Sequence, residues 1–263
     1  MSNFEAFRIS GEQAADVRTS QRSKYPDIFV FADRCADIID GAVARARLQS
    51  LRQPKEMVTG LFLARATSHF HAARMLGEAG LTIESLTLSR SLFETCFVML
   101  ALAEGAVSLE ELKSHDDAMR LKHANVLRNS NSYPEVERFK EVLNAFAQNV
   151  AESKEIGFYE FARRGNALAA YDGLYRHLSN HALHSTLSAV DDYLVPDVSR
   201  KYVVQYRPLL EKTSAAVLTA CAGVLIAGFA AQKAGIFSDE DATVIAQTWE
   251  AYEALYSLYR PWA

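Results

Sequence analysis

The sequence has little cysteine. Cys35, Cys96 and Cys221 are far apart and odd in number. That excludes a disulfide framework and the paired thiols of a zinc site, and predicts reduced, buried thiols in a cytoplasmic protein. Proline is also scarce. Pro26 and Pro54 stand where helices open, where the missing N–H costs nothing, Pro134 falls in a turn and Pro196 in a linker. No stretch of useful length alternates polar and apolar residues as a strand does, and there is no internal repeat or low-complexity tract. GxGxxG, P-loop and nucleophile-elbow patterns are absent, so dinucleotide-binding, kinase-like and serine-hydrolase readings lack support. There is no large excess of either charge, with 28 Lys and Arg against 32 Asp and Glu. A net charge of −4 argues against nonspecific coating of nucleic acid or acidic membranes, while leaving a local basic groove open. Met1 to Lys24 is polar with no apolar h-region, so no signal peptide is expected.

What is present is helical periodicity. The 263 residues, 49% of them hydrophobic, can bury a substantial core. They predict an all-α fold, a multi-helix bundle of about eight helices around a central apolar helix. Residues 1–25 read as an N-terminal extension with one short helix around Glu12 to Arg18. Residues 26–263 read as a single domain with a linker near 195–199. Helices are expected from Pro26 to about Leu51 and from Pro54 to Gly77 or Gly80. Ser108-Leu-Glu-Glu111 is a capping box for another, ending near Asn129, and a further helix has its stripe from Val136 to Val150. Asn166 to His184 predicts one more, and Ser238 to Asp241 caps the last. Thr82 to Glu104 is apolar nearly all round and belongs inside the bundle.

A long helix over about Tyr206 to Ala234 contains a charge-free run from Thr213 to Ala231, long enough to span a bilayer. It is rich in Ala, Gly, Ser and Thr, lacks aromatic belts and shows no clear positive-inside pattern. A closely packed core helix is the better reading. A membrane span needs Val217, Leu218, Leu225 and Phe229 to face outward.

Polar residues in apolar helices carry the functional argument. Arg90 and Glu94 lie four apart, hence on one face, and a charged pair there should be paired or bonded. The stretch Tyr171 to His184 holds three of the seven histidines, with an arginine and two tyrosines. His177, His181 and His184 share one face, and such a stripe can ligate a transition metal. No Glu-x-x-His pair or cysteine completes a familiar site, so no metal or cofactor is expected. Arg120, Lys122, His123 and Arg128 are locally basic, either an RNA groove or a solvated face.

Arg176-His-Leu-Ser-Asn-His181 fits the pattern Arg, polar residue, three others, His, and resembles the HEPN superfamily of helical nucleases and nucleotide-binding domains. The resemblance implies metal-independent RNA cleavage at a dimer interface. His181 would help move the proton of the ribose 2′-OH, and Arg176 would stabilise charge on the scissile phosphate. The bland alternative is an exposed helix face where Arg176 pairs with Asp172 four residues earlier. Arg65-Ala-Thr-Ser-His-Phe-His71 satisfies the loose pattern as well.

Leu88-Ser-Arg-Ser-Leu-Phe-Glu94 together with Tyr175 to His184 resembles an uncharacterised bacterial family of helical proteins, over about Lys55 to Tyr193. That resemblance implies that Arg90, Glu94, Tyr175, Ser179 and one of His181 or His184 meet in the core. Which histidine takes the family position stays open. With His177 these residues form the candidate substrate-binding set, and Arg176 and His181 the candidate catalytic pair.

Two functions are therefore expected. The first is a HEPN-like cytoplasmic endoribonuclease in stress response or phage defence, with RNA and a second copy of the chain as partners. The second is a non-catalytic ligand- or protein-binding domain with a structural Arg/Glu/Tyr/His network. Membrane attachment is the third and weakest reading.

Overall fold

The computed structural model describes residues 12–48, 53–130, 134–179, 190–196, 202–204 and 208–260. The fold is all-α. Its helices are α1 (Glu12–Lys24), α2 (Pro26–Leu48), α3 (Pro54–Glu78), α4 (Thr82–Ala103), α5 (Leu109–Arg128), α6 (Lys140–Asn149) and α7 (Phe158–Arg164). They continue as α8 (Leu168–Ala170), α9 (Arg176–Leu178), α10 (Thr213–Lys233) and α11 (Asp239–Tyr259). There are more helices than the eight expected; α8 and α9 are the two ends of one helical run, 168–179, joined by a π-helical turn.

The ends follow local chemistry. Pro54 opens α3 behind Gln53, which forms a capping box with Glu56. Ser108 and Glu111 cap each other reciprocally at 3.1 and 2.9 Å, as the sequence predicts. Ser238 and Asp241 repeat that arrangement at α11. The helix expected over Glu12 to Arg18 runs on to Lys24. Its last turn is tied down: Arg22 binds Asp33 on α2 at 2.9 Å and Glu78 on α3 at 2.7 Å, and Arg74 joins the same two carboxylates.

The centre is a three-helix layer of α3, α4 and α10. α4, the apolar helix expected at the centre, packs on both of the others, and α10 is buried at least as completely. Every residue of it from Thr213 to Gly228 is buried. Its small residues explain how. A Cβ on Gly223 would come within 2.6 Å of the Leu92 side chain, and the Cys96 thiol donates to the Gly223 carbonyl at 3.2 Å. The two backbones approach this closely because glycine offers nothing in between. α3 joins through Gly77, whose Cβ would sit 3.1 Å from Val217 and 3.3 Å from the Ser85 hydroxyl.

Both α4 and the Leu210–Lys233 stretch are long and apolar enough to cross a membrane, and both are mostly covered by other helices of this chain. Val217, Leu218 and Leu225 are buried, and Phe229 packs edge-on against Trp249 at 5.8 Å. The outward-facing side chains that the membrane reading requires are not found on α10.

Two local expectations change. The long helix begins at Thr213, not near Tyr206. Before it, Pro208 lies over Gly80 and the Leu209 N–H donates to the Gly80 carbonyl at 2.8 Å, so the chain is spent on docking against the α3–α4 turn. Part of the expected linker at 195–199 is paired: Leu194–Pro196 and Tyr202–Val204 form a short antiparallel ladder.

Gly165 ends α7 against α4, where a Cβ would stand 2.8 Å from the Ala101 nitrogen and 3.1 Å from the Leu100 carbonyl carbon. Backbone cannot give way as a side chain can. Gly165→Ala is expected to lower stability by about 1–3 kcal/mol in urea unfolding. Gly157→Ala, where nothing lies within 4 Å, should change it by less than about 0.5 kcal/mol. Equal effects at the two positions would show that the α7–α4 contact is not tight.

Candidate functional site

The stretch from Leu168 approaches α4 through an irregular turn. Tyr171–Tyr175 is a π-helical turn between α8 and α9. Such turns shift the register of the residues after them and are frequent at functional sites. The turn lays two tyrosines on α4: Tyr171 and Tyr175 stack on each other at 5.0 Å and meet the Phe97 ring at 5.8 and 5.5 Å. The helix expected over 166–184 is present from Leu168 to Ser179 with this π turn inside it, and residues 180–189 lie outside the described ones.

Four of the candidate residues come together. Arg90 pairs with Glu94 at 2.8 Å, with the side chains 15% and 18% exposed. The Arg90 Nη2 donates to the Tyr175 hydroxyl at 2.9 Å and its Nε donates to Ser179 Oγ at 3.1 Å. Tyr175 in turn donates to Glu94 Oε1 at 2.9 Å. Ser179 donates to the Tyr175 carbonyl at 3.1 Å. The loop from guanidinium to phenol to carboxylate is closed, so neither charge is left uncompensated. Burial, then the neighbouring Glu94 carboxylate, pushes the Tyr175 phenol well above its ordinary value. It stays a neutral donor at any physiological pH.

The other candidates behave differently. Arg176 is 68% exposed and pairs with Asp172 at 3.3 Å, as an ordinary helix face would. His177 is half-buried. His181 and His184 lie outside the described residues, so their part in the network and the three-histidine metal stripe go with them. Among the described residues, no group of three or more His, Cys, Asp or Glu is placed to hold a metal ion.

On its other side Glu94 lines a cavity of about 340 Å³ between α3, α4, α5 and α7. Ser91 and Thr95 share its wall with Arg65 of α3 and with His115 and Asp116 of α5. Phe62, Leu112 and Phe158 supply apolar surface. His115 Nδ1 accepts the Ile156 N–H at 3.1 Å, and its neighbour Ser114 accepts the Lys154 N–H at 2.9 Å, so α5 fixes the chain leading into α7. With Nδ1 an acceptor, the neutral imidazole carries its proton on Nε2. Burial lowers the His115 pKa, which favours that neutral form. His69 nearby is lowered too, by burial and then by Arg65.

Sequence reasoning did not identify His115 or Asp116 as site residues. They sit on a polar helix and reach the cavity only through the packing of α5 on α4 and α7. Arg65 appeared only in a loose repeat of the nuclease pattern, with no hint that it belongs beside Glu94.

A family profile, "Family of unknown function (DUF5677)", matches residues 56–202, just over half of the chain. The chain belongs to this family. No curated protein and no solved structure matches it. The DUF5677 span resembles that expected for the uncharacterised helical family, and it encloses the Arg90 network and the whole cavity wall. α10 and α11 lie beyond it.

Two outcomes test this arrangement. Arg90→Met removes the cation and leaves Glu94 unpaired, and is expected to cost about 2–4 kcal/mol, against about 1–2 for Tyr175→Phe. Denaturant unfolding of the two variants measures this, and a cost under about 0.5 kcal/mol for Arg90→Met would show the network to be idle. The second concerns pH. A histidine whose folded pKa is depressed contributes full stability above its unfolded value of 6.5, and that stability falls as the pH drops below it. His115→Asn keeps an acceptor for the Ile156 N–H but does not titrate. Its stability should fall less between pH 7 and 5.5 than that of the wild type, and an unchanged slope would assign the effect elsewhere.

Proposed function

We propose that this chain is a ligand-binding helical domain whose site is the cavity beside Glu94. The observation that carries this is the double use of that carboxylate. Its Oε1 takes both Arg90 and Tyr175, while the same residue lines the cavity. A carboxylate oriented by a cation and a phenol is a fixed acceptor, and preorganised polar groups within a largely apolar wall are how small-molecule sites define orientation. His115 Nε2–H and Arg65 supply donors across the space. The reading favours a small ligand with hydrogen-bond donors on one edge and an apolar face for Phe62 and Phe158, of nucleobase or aromatic amino-acid size. We place the protein in the cytoplasm, on the reduced cysteines and the mixed surface charge.

Cleavage of RNA by Arg176 and His181, with a second copy completing the site, is the second reading. One observation favours it: Arg176 is on the surface, where a phosphate-contacting cation must be. Its pairing with Asp172 weighs on the other side.

One experiment separates them. Thermal shift and calorimetry with a panel of nucleobases, nucleosides and aromatic amino acids should find a ligand whose binding drops at least about tenfold in Glu94→Gln and is unchanged in Arg176→Ala. Labelled RNA is incubated in parallel, with and without chelator, beside His181→Ala. Chelator-insensitive cleavage lost in that variant and in Arg176→Ala, with no ligand from the panel, would reverse the order of the two readings.

A further inference from the structure

A second cavity, larger than the one beside Glu94, borders α4 at Leu100. It holds about 650 Å³, within the size range of small-molecule sites. One wall is aromatic. Trp249, Tyr252 and Tyr256 follow each other along one face of α11, with ring centroids 5.1 and 5.8 Å apart, and Phe229 of α10 meets Trp249 edge-on at 5.8 Å. The facing wall is small: Ala167, Ala170 and Gly173 belong to the same irregular stretch that delivers Tyr175 to Arg90. A Cβ at Gly173 would meet nothing within 4 Å, so that wall looks into open space.

Polar groups are few, and they have a sign. Among the described lining residues Glu253 is the only ionisable acid or base apart from the tyrosines. It is exposed, at the rim, and its Oε1 accepts the Trp249 Nε1–H at 2.8 Å. That bond satisfies the indole's one donor and leaves the ring face apolar. Asn166, held at a φ of 54°, also lines the cavity. Water inside would find few partners, whereas hydrocarbon would find four aromatic rings. A carboxylate head would meet a like charge, and a protonated amine would meet Glu253 and the faces of electron-rich rings.

We propose that this cavity binds a hydrophobic amine, its hydrocarbon body between the α11 aromatics and the Ala170–Gly173 wall and its ammonium at Glu253. The site is separate from the one beside Glu94: two of its walls, α10 and α11, fall outside the matched family span.

The sequence has two tryptophans, so a Trp262→Phe background leaves Trp249 as the only indole. Dodecylamine, dodecanol and dodecanoate share one chain and differ in head charge. Each is titrated at submicellar concentration and low ionic strength, with Trp249 emission as the readout. Dodecylamine should give a saturable change with an apparent affinity about tenfold tighter than that of dodecanoate. Glu253→Gln, which keeps an acceptor for the indole, should shrink that gap to about twofold or less. Gly173→Leu fills the space and should abolish the response, and Ala170→Leu serves the same purpose if the first variant does not fold. No saturable response to any of the three, dodecanoate binding as tightly as the amine, or a gap that survives Glu253→Gln would each overturn the proposal.

Discussion

The Arg90 guanidinium is the constraint around which this fold is arranged. A cation mostly removed from water, on a helix that is otherwise nearly all hydrocarbon, is tolerable only if its donors are met. α4 provides one acceptor itself, in Glu94, one turn further on. The rest must come from another element, which gives the irregular stretch before Ser179 a fixed place to dock. The π-helical turn then has a physical reason. It is the local register that lets Tyr175 reach both Arg90 and Glu94 while Tyr171 still packs on Phe97. The Arg90 guanidinium also lies 5.0 Å from the Tyr175 ring centroid, so the contact is partly with the π-face.

Such a network is weak evidence for stability on its own, since a well-packed apolar set can do as well or better. Its stronger effect is on specificity of packing. An apolar helix slides on its neighbours at modest cost, whereas the Arg90–Tyr175–Glu94 loop is satisfied in one register only. The opposite face of α4 reaches the same end by a different route. There Gly223 and Leu92 interlock at a distance that admits no side chain, and the Cys96 thiol bonds to a carbonyl on α10. One face is fixed by polar geometry and the other by shape.

Much of this was legible in the residues. The i, i+4 spacing of Arg90 and Glu94 within an apolar helix demanded partners, and the family resemblance implied that Tyr175 and Ser179 would be among them. The capping boxes at Ser108 and Ser238 were readable because capping is local. What was not legible depends on tertiary packing. Length and hydropathy alone cannot tell lipid from neighbouring helices around α10; its wealth of small residues is what pointed to a packed core helix. His115 and Asp116 gave no signal, because their helix is polar and only its docking turns one face toward Glu94. The π-turn was missed because tyrosine, leucine and glycine spacing there is compatible with an ordinary helix.

The position of α4 ties both cavities to one element. Its Glu94 face looks into a small, polar-lined space, while Leu100, less than two turns further along, borders a large aromatic one. The stretch from Asn166 to Ser179 borders the larger cavity at Gly173, and its Tyr175 hydrogen-bonds the carboxylate that lines the smaller. A two-residue separation within a π-turn is a short mechanical path. The same segment holds Tyr175 at 2.9 Å from Glu94. Interlocked helices respond to pressure by shifting between discrete packings, not by bending smoothly. Glu94 is oriented by a residue within reach of the second site, so any coupling between the two has a definite place to act: the hydrogen bond from the Tyr175 hydroxyl to Glu94 Oε1.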